Sequence, residues 1–204
     1  MTEPLTIDVW SDFVCPYCFL VSSSLARLKA SHGVEVRWRS YELRPPGSPP
    51  MDANFEQYIA QAKPRMQAYA RDYFGITDMT PGPIGVSSRP ALVGAKYAEA
   101  QGVGDVYHQR VFTAYFMEGR AIDDREWLVG LAVDLGLDGA AFGAALDAPA
   151  YIAAVEDDVA QAMGDGIQSV PALVFAGKYL ISGAQPYERL VQATEQVQGL
   201  LAGG

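Results

Sequence analysis

The sequence predicts an α/β fold in which a βαβ unit near the start and an α–β-hairpin–α unit near the end are separated by an all-helical insertion. Three observations predict it. Residues alternate between two distinguishable faces over 5–10 and again over 34–39, with helical spacing between them. From Met51 to Pro149 the alternation gives way to helical periods, and two short strand-like runs then precede a last amphipathic stretch.

Leu5, Ile7 and Val9 alternate with Thr6, Asp8 and Trp10, so the first element is a strand with two distinguishable faces. Pro16 suits the first position of a helix, because the N–H it lacks is not needed there and its fixed φ is already helical. Cys18, Val21, Leu25 and Leu28 recur at helical spacing until Gly33 supplies a stop, which makes Cys15 the capping residue. Val34, Val36 and Trp38 alternate with Glu35, Arg37 and Arg39, giving a second strand that returns parallel to the first by a crossover. The proline-rich residues 44–50 end it.

Within 51–149 the helices are punctuated by the Pro81-Gly82-Pro83 turn, by Gly102, Gly119 and Gly136 as stops, and by Asp123 or Asp124 as a cap. Pro64 interrupts the helical stretch from Phe55 to Phe74 and predicts a kink or two shorter helices. Trp127, Leu128, Leu131 and Leu135 form one apolar stripe, Val111, Phe112, Tyr115 and Phe116 another, and both read as core. Ile152, Val155, Val159 and Met163 predict a further amphipathic helix. Ala172 to Phe175 and Tyr179 to Ile181 predict a hairpin, and a helix from Pro186 carries Leu190, Thr194, Val197 and Leu201. This order, βαβ … αββα with an interruption, is that of a thioredoxin fold. Residues 1–50 and 150–204 are expected to form its thioredoxin-like part and 51–149 the helical insertion domain.

A chain of 204 residues, half of them hydrophobic and 19% charged, suits one substantial core and excludes a disordered polymer. A net charge of −9 without clustered Lys and Arg argues against a nucleic-acid surface. No apolar run approaches the ~20 residues that span a bilayer, and Met1-Thr2-Glu3-Pro4 lacks a basic region followed by an apolar one. The expectation is a cytoplasmic protein with no membrane partner.

The chemistry sits at Cys15-Pro16-Tyr17-Cys18. A free thiol, with a pKa of about 8.5, is mostly protonated and inert at neutral pH. At a helix N-terminus the unpaired N–H groups and the positive end of the macrodipole favour the thiolate. A spacing of three places Cys18 under Cys15, close enough for a disulfide within the turn. Cys15 is therefore assigned as the attacking thiol and Cys18 as the resolving one, with Pro16 stiffening the turn and Tyr17 tuning it. A structural staple is a poor reading of so small a loop. A zinc site would need two more ligands, yet His32 and His108 lie far apart without a paired motif, so no metal is expected. Val170-Pro171, entering a strand, fits the cis-proline loop that packs against the disulfide in thioredoxin folds; an ordinary trans proline at a strand start fits the same position.

Four segments carry a family resemblance. They are Ser11-Asp12-Phe13-Val14-Cys15-Pro16-Tyr17-Cys18, Ala114-Tyr115-Phe116-Met117-Glu118-Gly119 through Leu135-Gly136-Leu137-Asp138, Gly166-Ile167-Gln168-Ser169-Val170-Pro171, and Ser182-Gly183-Ala184-Gln185-Pro186. In these the chain resembles the FrnE branch of the DsbA-like oxidoreductases over almost its whole length. The resemblance implies a redox-active disulfide and a hydrophobic substrate groove. It implies that Phe13, Tyr17 and Val170 line the redox end of that groove and that Gly183, Ala184 and Gln185 close the sheet edge nearby. Its partners would be protein or small-molecule thiols and disulfides, recycled by a thioredoxin or glutathione system. No cofactor is implied beyond the disulfide, with glutathione as an optional co-substrate.

Three departures matter. Many thioredoxin-fold enzymes carry a buried acid six residues before the first cysteine, where this chain has Val9. The group that takes the proton of Cys18 is thus unassigned, with Asp8, Asp12 and water as candidates. Tyr17 stands where DsbA itself commonly has His, which predicts a less oxidising couple. Ser87-Ser88-Arg89-Pro90-Ala91-Leu92 replaces an Asn-Thr pair and a helix with Ala-His, so the inner face of the insertion differs.

Two rival functions share the fold or its composition. A glutathione-dependent transferase or isomerase of the kappa type usually has Ser at the first cysteine and lacks the second, so Cys18 counts against it. A holdase-like interaction protein with an incidental disulfide is motivated by the aromatic weight of the insertion.

Overall fold

A computed structural model describes residues 4–203; Met1–Glu3, where a basic and then apolar start was expected to be lacking, and Gly204 lie outside the described residues. Strand β1 (Thr6–Ser11) leads into helix α1 (Pro16–His32), which returns to β2 (Glu35–Ser40). Five helices follow: α2 (Ala53–Phe74), α3 (Arg89–Ala100), α4 (Gly104–Phe116), α5 (Arg125–Asp134) and α6 (Gly139–Ala145). Helix α7 (Pro149–Gly164), the hairpin β3 (Ala172–Phe175) and β4 (Tyr179–Ser182), and α8 (Tyr187–Ala202) complete the chain.

The strands form one mixed sheet in the order β2-β1-β3-β4. β1 runs parallel to β2 and antiparallel to β3, and β3 and β4 form the hairpin. Register separates the faces. Val9 pairs with Leu173, and with Ile7 and Phe175 they join α1 and α8 in the main core. Trp10 pairs with Ala172, and both pack with Ala162 and Ile167 in a smaller cluster on the α7 side. Alternation along β1 thus puts Ile7, Val9 and Ser11 towards α1, and Asp8 and Trp10 towards α7.

Helix α1 begins at Pro16 with Cys15 as its N-cap, and ends at Gly33, whose φ of 62° is the left-handed turn that glycine enters without strain. Asp124 and Asp138 cap α5 and α6 through side-chain bonds to first-turn N–H groups. Gly94 sits where α3 crosses α4, and a Cβ there would collide with the Tyr107 hydroxyl.

The structure decides between two expectations at Pro64 and corrects one on α7. Of the kink and the two shorter helices that Pro64 predicted, the two helices are excluded, because α2 continues through Pro64 as one element. Proline removes one N–H and repels the carbonyl four residues earlier, but Ala60 is exposed and water can solvate that carbonyl. On α7 the buried positions are Val155, Asp158 and Ala162, while Met163 is 71% exposed. The face is set by Asp158, which accepts from Ser40 N at 2.7 Å and from Arg39 at 3.3 Å and pairs with Lys96 at 2.6 Å.

Candidate active site

The two sulfurs lie at the start of α1, where the chain leaves β1 through a short turn. Cys15 N donates to Asp12 O at 3.0 Å, and Cys18 N and Phe19 N donate to Cys15 O at 3.1 and 3.2 Å. Both cysteines are free thiols. Cys15 retains 5% of its surface and Cys18 none, so a substrate can reach only the first.

Their environments push them apart. A hydrogen bond from the Cys18 thiol, helped by the N–H groups of Cys18 and Tyr17, holds Cys15 below the ordinary thiol range in spite of its burial. Burial, then the bond to Cys15 and its charge, hold Cys18 well above that range. One sulfur is stabilised as a nucleophile and the other stored as a thiol.

Asp12 anchors the turn. Its carboxylate accepts from Val14 N at 3.2 Å and Leu43 N at 2.7 Å, and from the hydroxyl of Ser88 at the N-terminus of α3. Complete burial outweighs these donors and pushes its pKa up to about 6. Asp8 is elsewhere: it lies on the α7 face, paired with Arg39 at 2.9 Å, and is not brought to the sulfurs.

Across from Cys15 lies the Val170–Pro171 peptide, which is cis, with Val170 O 3.6 Å from the Cys15 sulfur. Pro171 O accepts from Gly183 N at 2.8 Å, and Ala184 O accepts from the Tyr69 hydroxyl at 2.8 Å. Tyr69 reaches over from α2 and meets Tyr17 edge-on at 6.1 Å. Tyr17, next to Cys15 in the chain, and Leu43, whose N–H holds Asp12, both remain exposed. Gly183 and Gln185 are half-buried, and Gln185 is turned back onto Ser182 O at 3.0 Å. Phe13 does not line a groove: it is 1% exposed and packed against Tyr107, His108 and Phe112, because the turn folds it under α4.

Ser88, Tyr69 and Leu43 were not legible as site residues, since each meets the thiol turn from another part of the chain. The one available signal was the Ser87-Ser88-Arg89 departure, which is the segment that supplies the hydroxyl to Asp12. Among the described residues no three of His, Cys, Asp and Glu stand close enough to hold a metal ion.

With this geometry in place, the profile of the DSBA-like thioredoxin domain matches residues 6–195. The chain belongs to the DsbA-like thioredoxin domain family. It is 33% identical over 186 residues to the uncharacterized protein YwbO of Bacillus subtilis, covering 87% of this chain and 90% of that one. The probable DsbA oxidoreductase SCO1869 of Streptomyces coelicolor superposes with a TM-score of 0.77 at 29% identity, over 96% of this chain and 90% of that one. The cytosolic disulfide reductase DsbM of Pseudomonas aeruginosa, solved also with GSH, shares the fold at a TM-score of 0.66 over 98% of each chain, with 21% identity to the first structure and 23% to the second. The family is that of the DsbA-like thiol-disulfide oxidoreductases, and no described helix is long and apolar enough to cross a membrane.

Proposed function

We propose that the protein is a dithiol-disulfide oxidoreductase in which Cys15 captures a disulfide and Cys18 resolves the mixed disulfide. The observation that carries this reading is the asymmetry of the pair: an edge sulfur held towards the thiolate, hydrogen-bonded by a sealed sulfur held as a thiol. Cys15 thiolate attacks one sulfur of the substrate disulfide, a new S–S bond forms, and the first substrate sulfur leaves with the electron pair. Cys18 gives its proton to the Asp12 carboxylate, which is ionised at neutral pH, and attacks the Cys15 sulfur. The second substrate thiol departs, the substrate is reduced by two electrons, and the enzyme carries the Cys15–Cys18 disulfide.

Recycling of that disulfide by glutathione or a thioredoxin-type dithiol, in the cytoplasm, belongs to the same proposal. DsbM is described as cytosolic and solved with GSH, which supports it by likeness of fold. Tyr17 brings no imidazolium to the thiolate, so the couple is expected well below the about −120 mV of DsbA. Protein or small-molecule thiols then reach Cys15 past Tyr17 and Val170. The kappa-type transferase reading is disfavoured by the retained and buried Cys18, and the holdase reading leaves the thiol asymmetry without a purpose.

The test is capture. In the Cys18→Ser protein, Cys15 should accumulate a mixed disulfide with oxidised glutathione or a scrambled protein substrate, visible as added mass. Cys15→Ser should form none and should lose insulin reduction. Equal activity of Cys15→Ser and the parent would overturn the assignment.

A further inference from the structure

Ser11 closes β1 on the α1 face, in register with Ser40 and following Ile7 and Val9. It is 3% exposed, and its main-chain carbonyl is used by Tyr41 N at 2.9 Å. Its hydroxyl is different: it is buried and finds no hydrogen-bond partner among the described residues. Burying a hydroxyl without a partner costs about 1–3 kcal/mol, so a fold that keeps one invites the question of when it becomes satisfied. The hydroxyl and the Asp12 main-chain N–H both lie near enough to the Cys18 sulfur to favour its thiolate form, although the hydroxyl has no formed hydrogen bond to the neutral thiol.

A neutral thiol is a weak acceptor, and a hydroxyl gains little by turning to it. A thiolate is a strong one. In the resolving step Cys18 becomes anionic in a place fully closed to water, where charge has no solvent to stabilise it. Donors fixed in advance at the site where charge develops are worth most in such a setting.

We propose that the Ser11 hydroxyl and the Asp12 main-chain N–H form a thiolate hole for Cys18, making Ser11 a catalytic residue of the resolving step. This rests on the reading of Cys18 as the resolving thiol. As the Cys18 proton passes to the Asp12 carboxylate, the Ser11 hydroxyl rotates to donate to the sulfur. The Cys18 electron pair then forms the bond to Cys15, the substrate thiolate leaves with the pair of the broken bond, and the Ser11 hydroxyl is again without an acceptor. The dithiol state therefore carries the unsatisfied hydroxyl, and the transient state uses it.

The experiment is a stopped-flow reaction of the reduced full chain with an aromatic disulfide whose thiolate is coloured, 5,5′-dithiobis(2-nitrobenzoate). Capture by Cys15 releases one coloured thiolate and resolution by Cys18 releases the second, so both steps are read in one trace. Losing one donor at an oxyanion hole lowers a rate by about 10²–10³, and sulfur's diffuse charge binds a hydroxyl more weakly, so roughly a tenfold slowing is expected. Ser11→Ala should slow the second phase by about that factor and leave the first unchanged. Ser11→Thr, which keeps the hydroxyl, should restore the second phase. In the Cys15→Ser background, ultraviolet titration of the Cys18 thiolate should move upward by about one pH unit on Ser11→Ala. A second phase as fast in Ser11→Ala as in the parent, or both phases slowed alike, would overturn the role of Ser11 while leaving the dithiol cycle standing. A parent trace without any second phase would overturn the cycle itself.

Discussion

At the scale of single residues, Asp12 has the clearest thermodynamic signature. Its carboxyl titrates at about 6 in the folded protein against 3.8 for the free group, so between those values the folded state holds a proton that the unfolded chain has lost. Its contribution to stability is fully present below the lower value and is lost as pH rises through the upper one. The loss is at most about 3 kcal/mol, from about 1.4 kcal/mol per unit. Asp12→Asn cannot titrate, and should lack this part of the slope. Urea unfolding of parent and variant at pH 4 and pH 7 should therefore show the parent losing more stability than the variant over that interval. Equal changes in both would mean that the carboxyl is not held in the buried, protonated form. The variant has a second effect that pH does not alter: an amide offers one oxygen where Val14 N and Leu43 N now use two, so one donor goes unmatched. The cysteine pair and its helix position could be read from a local motif, because proline, glycine and helical spacing are short-range signals. The neighbours that tune it could not. Asp12 stood among three candidates until the segments around Leu43 and Ser88 were seen to converge on it. The family resemblance assigns Phe13 to a groove, whereas aromatic rings from α4 cover it.

Among the elements, α7 shows how a buried charge defeats a periodicity argument. Counting apolar residues selects Ile152, Val155, Val159 and Met163, yet the inward face is rotated so that Asp158 meets β2 and α3. No hydrophobic count can assign a carboxylate to the core, because what makes it tolerable is Arg39 and Lys96 on other elements. Breaking a buried pair by removing one partner costs about 3–5 kcal/mol, since the remaining charges stay desolvated. Asp158→Ala should be destabilised on that scale in urea unfolding, whereas Met163→Gln should stay within about 0.5 kcal/mol of the parent, as surface substitutions do. The reverse ranking would place α7 in the register that its apolar pattern suggested. Helix α2 makes the complementary point. Proline breaks a helix where the carbonyl it displaces has no other partner, and exposure of Ala60 removes that condition; burial is a property of the fold that the residue itself does not announce.

For the whole molecule, the question is whether residues 51–149 are a domain in the folding sense or only in the topological one. Element order was legible because each strand, turn and cap is encoded within a few residues, but the boundaries of a core are set by what packs together. One buried cluster contains Ile7, Val9 and Phe175 of the sheet and Leu20 of α1 together with Leu92, Phe112, Leu128 and Phe142 of the inserted helices. Phe13 meets Phe112 at 5.0 Å, and Phe19 stacks on Phe116 at 5.0 Å, so the aromatic face of α4 is buried by α1 and its leading turn. Helix α3 packs on both α4 and α7, tying the insertion to the strand layer a second time. We propose that the insertion has no core of its own that could close without the sheet. Excised, residues 51–149 would expose Val111, Phe112 and Phe116, and a domain's stability is only about 5–15 kcal/mol, too little to survive the loss of several large buried side chains at about 1.5–3 kcal/mol each. The full chain should then unfold in one calorimetric transition whose van't Hoff and calorimetric enthalpies agree, and the isolated 51–149 fragment should lack near-ultraviolet dichroism. Two resolved transitions, or a fragment with native-like aromatic signals, would make the insertion an independent folding unit, and the thiol turn would then be supported by an interface rather than embedded in a shared core.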